Sequence, residues 1–459
     1  MNPPSFRRVL GTAALGALFA AHAALAIEHA TDWPSFQGPR GDGTSPETGL
    51  LREWPKDGPP VVWRAKIGQG WGQPAIVGDS IYICWSADVH GSGEVVACFD
   101  AKDGAERWRY AYETPPYWKR NIGWAKGGVR ATPCVHGGHV FTLGPGGHLH
   151  CLNRATGRVV WAQDLYTRWS FSGEKGFSFS PLVVDGKLIV WFGDNSYAMD
   201  DPDKKPQVVC EALDPATGKM LWTFLEPHLP GSLMGEGQTP AVTTVGGERC
   251  VIISANCQLK ALRVSDGHEV WKFDCLRPEL RGTSPPTPLV VGRRIVNLPD
   301  SDLMHVVEFD RDTPGAAAKI LWKKDHSTYT AIHQFRERDG FLYGFTGHQP
   351  GDSDVIASGA HLALTCIDLA TGDVRWKEPG FRTGTSHLLA DGLLFVRCYQ
   401  TLRLIDATPD GYRQRGEVHT HDVWKPTLNI TDIVCPVLAR GRLYVRTPEE
   451  LVCYDVAAR

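Results

Sequence analysis

Short apolar runs broken by Gly, Asp, Asn and Pro follow one another along the chain, as in Ser80-Ile-Tyr-Ile-Cys84 and Lys187-Leu-Ile-Val-Trp191. Apolar runs of this length, bounded by turn formers, read as β-strands. Extended helical periodicity is scarce. The pattern predicts an all-β protein of many short strands.

One motif recurs: an apolar strand, an Asp, a tight turn ending in Gly, and a Trp four residues after the Gly. Cys98-Phe99-Asp100 leads to Gly104 and Trp108, Cys151-Leu152-Asn153 to Gly157 and Trp161, and Ala212-Leu213-Asp214 to Gly218 and Trp222. Ala261-Leu262-Arg263 leads to Gly267 and Trp271, and Cys366-Ile367-Asp368 to Gly372 and Trp376. Phe309-Asp310 reaches Trp322 only after an insertion. Ile405-Asp406 reaches Gly411 but no Trp, and Cys453-Tyr454-Asp455 runs into the C-terminus.

Each part of the motif has a physical job. Asp accepts backbone N–H bonds in the turn that follows. Gly takes the positive-φ position that closes it. Trp buries on the order of 200 Å² of mostly apolar surface, about 5 kcal/mol before entropy. A large ring at one fixed place per repeat is suited to dock each repeat on its neighbour.

A second signal precedes each turn. Gln73-Pro74, Thr132-Pro133, Ser180-Pro181, Thr239-Pro240, Thr287-Pro288 and Cys435-Pro436 each open a strand, a hairpin and a second strand. Proline suits the start of a strand, where no ladder donor is needed. Ile332-His333 and Ser386-His387 fill the same slot without Pro. Eight starts and eight Asp-type positions predict an eight-bladed β-propeller with four-stranded blades, roughly 54 residues each. The last blade lacks its outer strand, while Val61-Val62-Trp63 stands unattached before the first. Joining this N-terminal strand to the C-terminal blade closes the ring and removes a raw sheet edge.

The ends and the composition add context. Arg7 and Arg8, the apolar run Val9 to Ala21, and Ala24-Leu25-Ala26 form a signal-peptide pattern. Residues 1–26 are the expected signal peptide, 27–60 an N-terminal extension packing on the ring, and 61–459 one propeller domain. Export to the periplasm or outside the cell is expected, with no membrane span after signal removal. A formal net charge of -3 argues against a nucleic-acid partner.

The repeats resemble the pyrroloquinoline-quinone-like (PQQ-like) propeller family. That family includes the outer-membrane assembly factor BamB and the quinoprotein alcohol dehydrogenases. Trp33-Pro-Ser-Phe-Gln-Gly-Pro-Arg-Gly-Asp-Gly43, Tyr343-Gly-Phe345, Thr408-Pro-Asp-Gly-Tyr412 and Gly441-Arg-Leu-Tyr-Val445 look like a secreted, planctomycete-type branch of it. The dehydrogenases carry two adjacent cysteines beside the quinone, and this sequence has no Cys-Cys pair and no Cys-x-x-Cys-His haem site. It also lacks the lipid-bearing Cys of BamB proteins.

Twelve cysteines in an exported chain suggest disulfides. The repeat offers another account for Cys98, Cys151, Cys366 and Cys453, which share a slot with Ala212 and Ala261 and suit a small buried residue. Cys210 reads in the same way, and Cys250 with Cys257 is left as a possible bridge. His419-Thr-His421 with Asp422 admits a metal site or an exposed histidine pair. Asp194, Asp200, Asp201 and Asp203 read as a solvated acidic loop rather than a calcium loop.

The segments before each first strand are expected to gather at one mouth of the central channel. They contribute Trp124, Arg130, Trp169, Arg281, Tyr329, His333, Arg382 and His387, together with Trp118 and Trp424. Aromatic and cationic groups in one pocket suit a planar anion, a sugar or a peptide. Two functional classes stand. The first is a non-catalytic binding or scaffold propeller of the cell envelope with a protein or glycan partner, without metal or cofactor. The second, implied by the resemblance, is a dehydrogenase holding PQQ and calcium, with Arg130, Arg281 and Arg382 facing carboxylates and Trp124 or Trp169 stacking. No catalytic base is assigned.

Overall fold

The computed structural model describes residues 30–88, 92–115, 128–169, 176–193, 207–227, 239–255, 258–274, 287–297, 303–310, 312–313, 315, 317–326, 335–347, 362–382, 385–421 and 434–458. The expected signal peptide lies outside these residues. So do Trp118, Trp124, Arg281, Tyr329, His333, Trp424, Asp422, Cys257 and the acidic stretch containing Asp194, Asp200, Asp201 and Asp203.

The described chain forms eight sheets, each built on four antiparallel strands, which run in sequence order in blades one to seven. Blade three is representative, with strands Leu182–Val184, Lys187–Gly193, Gln207–Leu213 and Met220–Pro227. Blades one to seven follow along the chain from residue 75 to residue 419. Blade eight takes Val437–Ala439, Arg442–Arg446 and Glu450–Asp455 from the C-terminus, and Val61–Lys66 pairs on its outside. The fold is therefore an eight-bladed propeller whose ring is closed by an N-terminal strand. Among the described residues no helix is long and apolar enough to cross a membrane.

Each blade places two hairpin turns at one face of the ring, called here the turn face. The other ends of the strands form the loop face. At the turn face the repeated motif works between blades. Trp161 in blade two donates its indole N–H to Pro215 O (2.9 Å), and Trp222 in blade three donates to Val264 O (2.9 Å). Trp63, Trp108, Trp322 and Trp376 do the same toward Ala101, Arg154, Leu369 and Thr408. Gly218 has φ +71°, and a Cβ there would stand 2.8 Å from the Trp161 ring. Gly is thus required twice, for the turn and for the ring lying on it.

The acid of the motif organises the turn it precedes. Asp214 accepts from the backbone N–H of Ala216 (3.0 Å) and Thr217 (2.8 Å), and Asp100 and Asp368 accept in the same way. Asp455 accepts from Ala457 N (3.3 Å), whereas Asp406 receives the fork of Arg415. Asp310 is placed differently from the sequence reading. Trp322 pairs with Val306, which puts Glu308 at the motif position and Asp310 two residues further on. There Asp310 accepts from Asp312 N (2.9 Å) and pairs with Arg293. Trp271 of blade four faces this irregular turn and packs on Phe309 instead, with ring centroids 5.7 Å apart.

Blade seven lacks its own tryptophan. Gly416 stands at the Trp position, opposite Leu404. The ring comes from the N-terminal extension. Trp54 lies over Gly416, its backbone N–H donates to Arg415 O (3.1 Å), and its ring packs on Phe395 at 6.1 Å. Trp63–Tyr444, Tyr82–Trp108 and Tyr343–Trp376 make the same aromatic pairing within other blades. A residue distant in sequence therefore fills the missing slot.

The extension enters the channel from the turn face. Trp33 exchanges two hydrogen bonds with Ile76 (2.8 Å each) on the inner strand of blade one, and Val135 N of blade two donates to Pro34 O (2.8 Å). Thr44–Ser45 adds a fifth, parallel strand to the inner edge of blade seven. Glu47 accepts from Gly441 N of blade eight (2.5 Å), and burial raises its carboxyl pKa.

The residues that open the first strands bind one another around the channel. Gln73 N donates to Thr132 Oγ1 (3.0 Å), Thr132 N to Ser180 Oγ (2.8 Å), and Ser180 N to Thr239 Oγ1 (3.1 Å). Thr287 Oγ1 donates to Thr239 O (2.9 Å), and Gln73 Nε2 to Cys435 O (3.4 Å). Cys435 Sγ in turn donates to His387 O (2.8 Å). The Thr/Ser-Pro pairs are strand starts and also links between neighbouring blades.

All ten described cysteines are free thiols. Cys98, Cys151, Cys366 and Cys453 are buried opposite the docking tryptophans, as expected for small apolar fillers. Burial pushes Cys151 and Cys453 up to about 12 and Cys366 to about 11, which keeps these thiols protonated.

Candidate binding face

Four of the eight mouth residues expected from sequence lie among the described residues, and they divide into two pairs. Arg130 places its guanidinium 4.6 Å over the ring of Trp71, and Arg382 lies 5.5 Å over Tyr399. An aromatic face holds a guanidinium in a fixed plane. Trp169 and His387 are held by contacts within the fold, Trp169 partly and His387 fully buried. Trp169 follows the short helix Leu165–Arg168 and donates to Glu211 Oε1 (2.5 Å), with its ring edge-on to Phe192 at 6.3 Å. Glu211 is fully buried and also pairs with Arg168; burial raises its carboxyl pKa against that pairing. His387 is 2 % exposed, its Nε2 lies 2.9 Å from Tyr343 O, and its ring stands edge-on to Phe345.

Three buried arginines at the last blades escaped the sequence reading. Arg397 and Arg446 stand four residues into the second strands of blades seven and eight, where blades one, two and three carry Cys84, Leu143 and Trp191. Arg446 Nη1 donates to Gly72 O (2.9 Å) and Cys84 O (3.0 Å), and Nη2 to Gly68 O (3.0 Å). Burial lowers its pKa. Arg397 donates to Arg446 O, and Arg336 to Phe335 O. Arg446 thus ties blade eight to the segment leading into blade one. The available signal was the parallel Phe395-Val-Arg397 and Tyr444-Val-Arg446, each an apolar strand broken by one cation.

Two further features lie away from the mouth. His419 ends the outer strand Gln414–His419 of blade seven, so His421 is not on the same strand face. Both line a groove of about 710 Å³ between blades seven and eight, with Arg64, Lys66, Glu449 and Glu450. Between blades one and two, Tyr112 donates to the buried Glu94, and His150 packs on Tyr112 at 4.4 Å. Burial pulls the His150 imidazole down to about 4.

With this geometry in place the comparisons are informative. The family model described as outer membrane protein assembly factor BamB matches residues 91–204 and 205–379. The chain therefore belongs to this PQQ-like propeller family. No curated protein matches it by sequence. Among solved structures, the quinohemoprotein alcohol dehydrogenase ADHIIG from Pseudomonas putida HK5 superposes with a TM-score of 0.68 at 13% identity, over 94% of this chain and 81% of that one. The quinohemoprotein alcohol dehydrogenase of Comamonas testosteroni gives 0.65 at 14% identity, over 93% and 81%. BamB from Moraxella catarrhalis gives 0.56 at 15% identity, over 86% and 99%. At these identities the superpositions establish the fold and leave function to the site.

The dehydrogenase neighbours raise the question of a quinone and a calcium ion. Among the described residues no three His, Cys, Asp or Glu side chains gather to hold a metal ion. Arg130 and Arg382 supply cations, but the described donor set forms no oxygen cage of the kind calcium needs.

Proposed function

We propose that this chain is an exported, non-catalytic binding or scaffold propeller of the cell envelope, and that its loop face recognises a protein or glycan partner. The carrying observation is the pair of aromatic-backed guanidiniums, Arg130 over Trp71 and Arg382 over Tyr399. Such groups read planar anionic or hydroxyl-rich surfaces by directed hydrogen bonds and need no chemistry of their own. The turn face supports the assignment by contrast, because the N-terminal extension and the docking tryptophans already occupy it.

The direct test is capture from envelope extract with immobilised protein, comparing wild type with Arg130→Ala/Arg382→Ala. A specific partner lost in the variant is expected. Recovery of nothing specific, or of the same set by both, argues against the reading. The dehydrogenase alternative has its own test. Pyrroloquinoline quinone with calcium is expected to leave the melting temperature unchanged, and a saturable rise would replace the binding assignment.

A further inference from the structure

Three positions of each outermost strand share its outward side: the residue before the docking tryptophan, the one after it, and the third after it; most are exposed, although Val270 of blade four is buried. At the position after the tryptophan, or after Gly416 in blade seven, stand Arg64, Arg109, Lys272, Lys323, Lys377 and Glu417. Blade two has Ala162 there but carries Asp164 two residues on and runs directly into the helix Leu165–Arg168. Charges of this kind on an edge strand oppose the addition of another strand.

Blade three is the exception. Its outward triad is Leu221, Thr223 and Leu225, and the two leucines are 47% and 49% exposed. The strand Met220–Pro227 ends its sheet, and nothing among the described residues pairs with its outer edge. The triad also reads the same in both directions, with a leucine on either side of the threonine.

We propose that this edge pairs with itself in a second copy of the chain. Antiparallel addition centred on Thr223 sets Leu221 against the partner subunit's Leu225, and Thr223 against the partner subunit's Thr223. Apolar and Thr–Thr cross-strand pairs stabilise such a ladder, and the arrangement is a closed two-fold interface. Every outermost strand runs from the turn face to the loop face. Antiparallel pairing therefore directs the two loop faces to opposite sides of the dimer. One strand per copy buries less than a standard interface, so the dimer is a weak one. The inference is independent of the binding assignment, since Arg130 and Arg382 take no part in it.

Sedimentation velocity over a concentration series tests it. Wild-type protein should shift reversibly from monomer to dimer. Leu225→Lys should raise the dissociation constant at least tenfold while leaving the melting curve in place, because the residue is half exposed. Ala111→Lys, at the matching position of blade one, should leave dimerisation unchanged. Thr223→Cys should form an intermolecular disulfide under mild oxidation, and Ala111→Cys should not. A monomer at every concentration, a dimer indifferent to Leu225→Lys, or no cross-link through Thr223→Cys overturns the proposal. Partner capture that survives in Leu225→Lys would show the loop-face reading standing without it.

Discussion

The two faces of this ring follow opposite plans. At the turn face one device repeats: an indole from one blade lies on the turn of the next, and in blade seven, which lacks the tryptophan, Trp54 fills the vacant ring site. At the loop face the strand starts repeat a lighter device, Thr132, Ser180 and Thr239 linking neighbouring blades by single hydrogen bonds, while the larger side chains differ from blade to blade. Arg130 stacks on Trp71, Arg168 and Trp169 close on Glu211, and Arg382 covers Tyr399. Repetition marks the face that holds the ring together. Variety among those larger side chains marks the face suited to recognise something.

The contrast breaks most visibly at the tryptophans. Trp222→Ala should cost about 3–5 kcal/mol, read as a lower denaturation midpoint. An unchanged midpoint would remove the docking role from the turn face. Trp54→Ala sharpens the point, because it asks whether a borrowed ring equals a native one. A loss of about 3 kcal/mol is expected. A loss below about 1 kcal/mol would mean that blade seven stands without it.

His150 lies between the two regimes. Its imidazole is held neutral by burial, so its folded pKa is depressed to about 4 from an ordinary 6.5. A depressed histidine contributes its full stability above pH 6.5 and loses it as pH falls toward 4, on the order of 3 kcal/mol. The midpoint of wild type should fall over that window more steeply than that of His150→Phe. Equal slopes would show that His150 titrates freely. The smallest effect belongs to the mouth: Arg382→Ala should change stability by less than about 0.5 kcal/mol. A large destabilisation there would mean that the loop face holds the ring too.

What was legible in the sequence follows the same division. The Asp–Gly–Trp spacing is local, so the blades, their number and six docking rings could be read directly. Trp54 could not be, because nothing near it in sequence names Gly416 as its seat. The two-residue offset at Asp310 was hidden by the insertion before Trp322. His387 was read as a mouth residue and is buried instead, while Trp169 is partly buried beside Glu211, since Trp and His suit both a pocket and a core and only the fold decides. Arg397 and Arg446 were passed over because a buried cation needs its carbonyl partners in view.

The closure of blade eight has a consequence for the order of events when the chain is made. The strand Val61–Lys66 is synthesised early, yet Arg64 finds Glu450 across a separation of 386 residues. Until the last strand emerges, the first has no sheet to join and must stay clear of the edges forming around it. The entropy of bringing such distant ends together falls on a single late step. A copy cut short before that step keeps two raw edges where a finished one has a seam, and so differs from it in what proteases and chaperones can grasp.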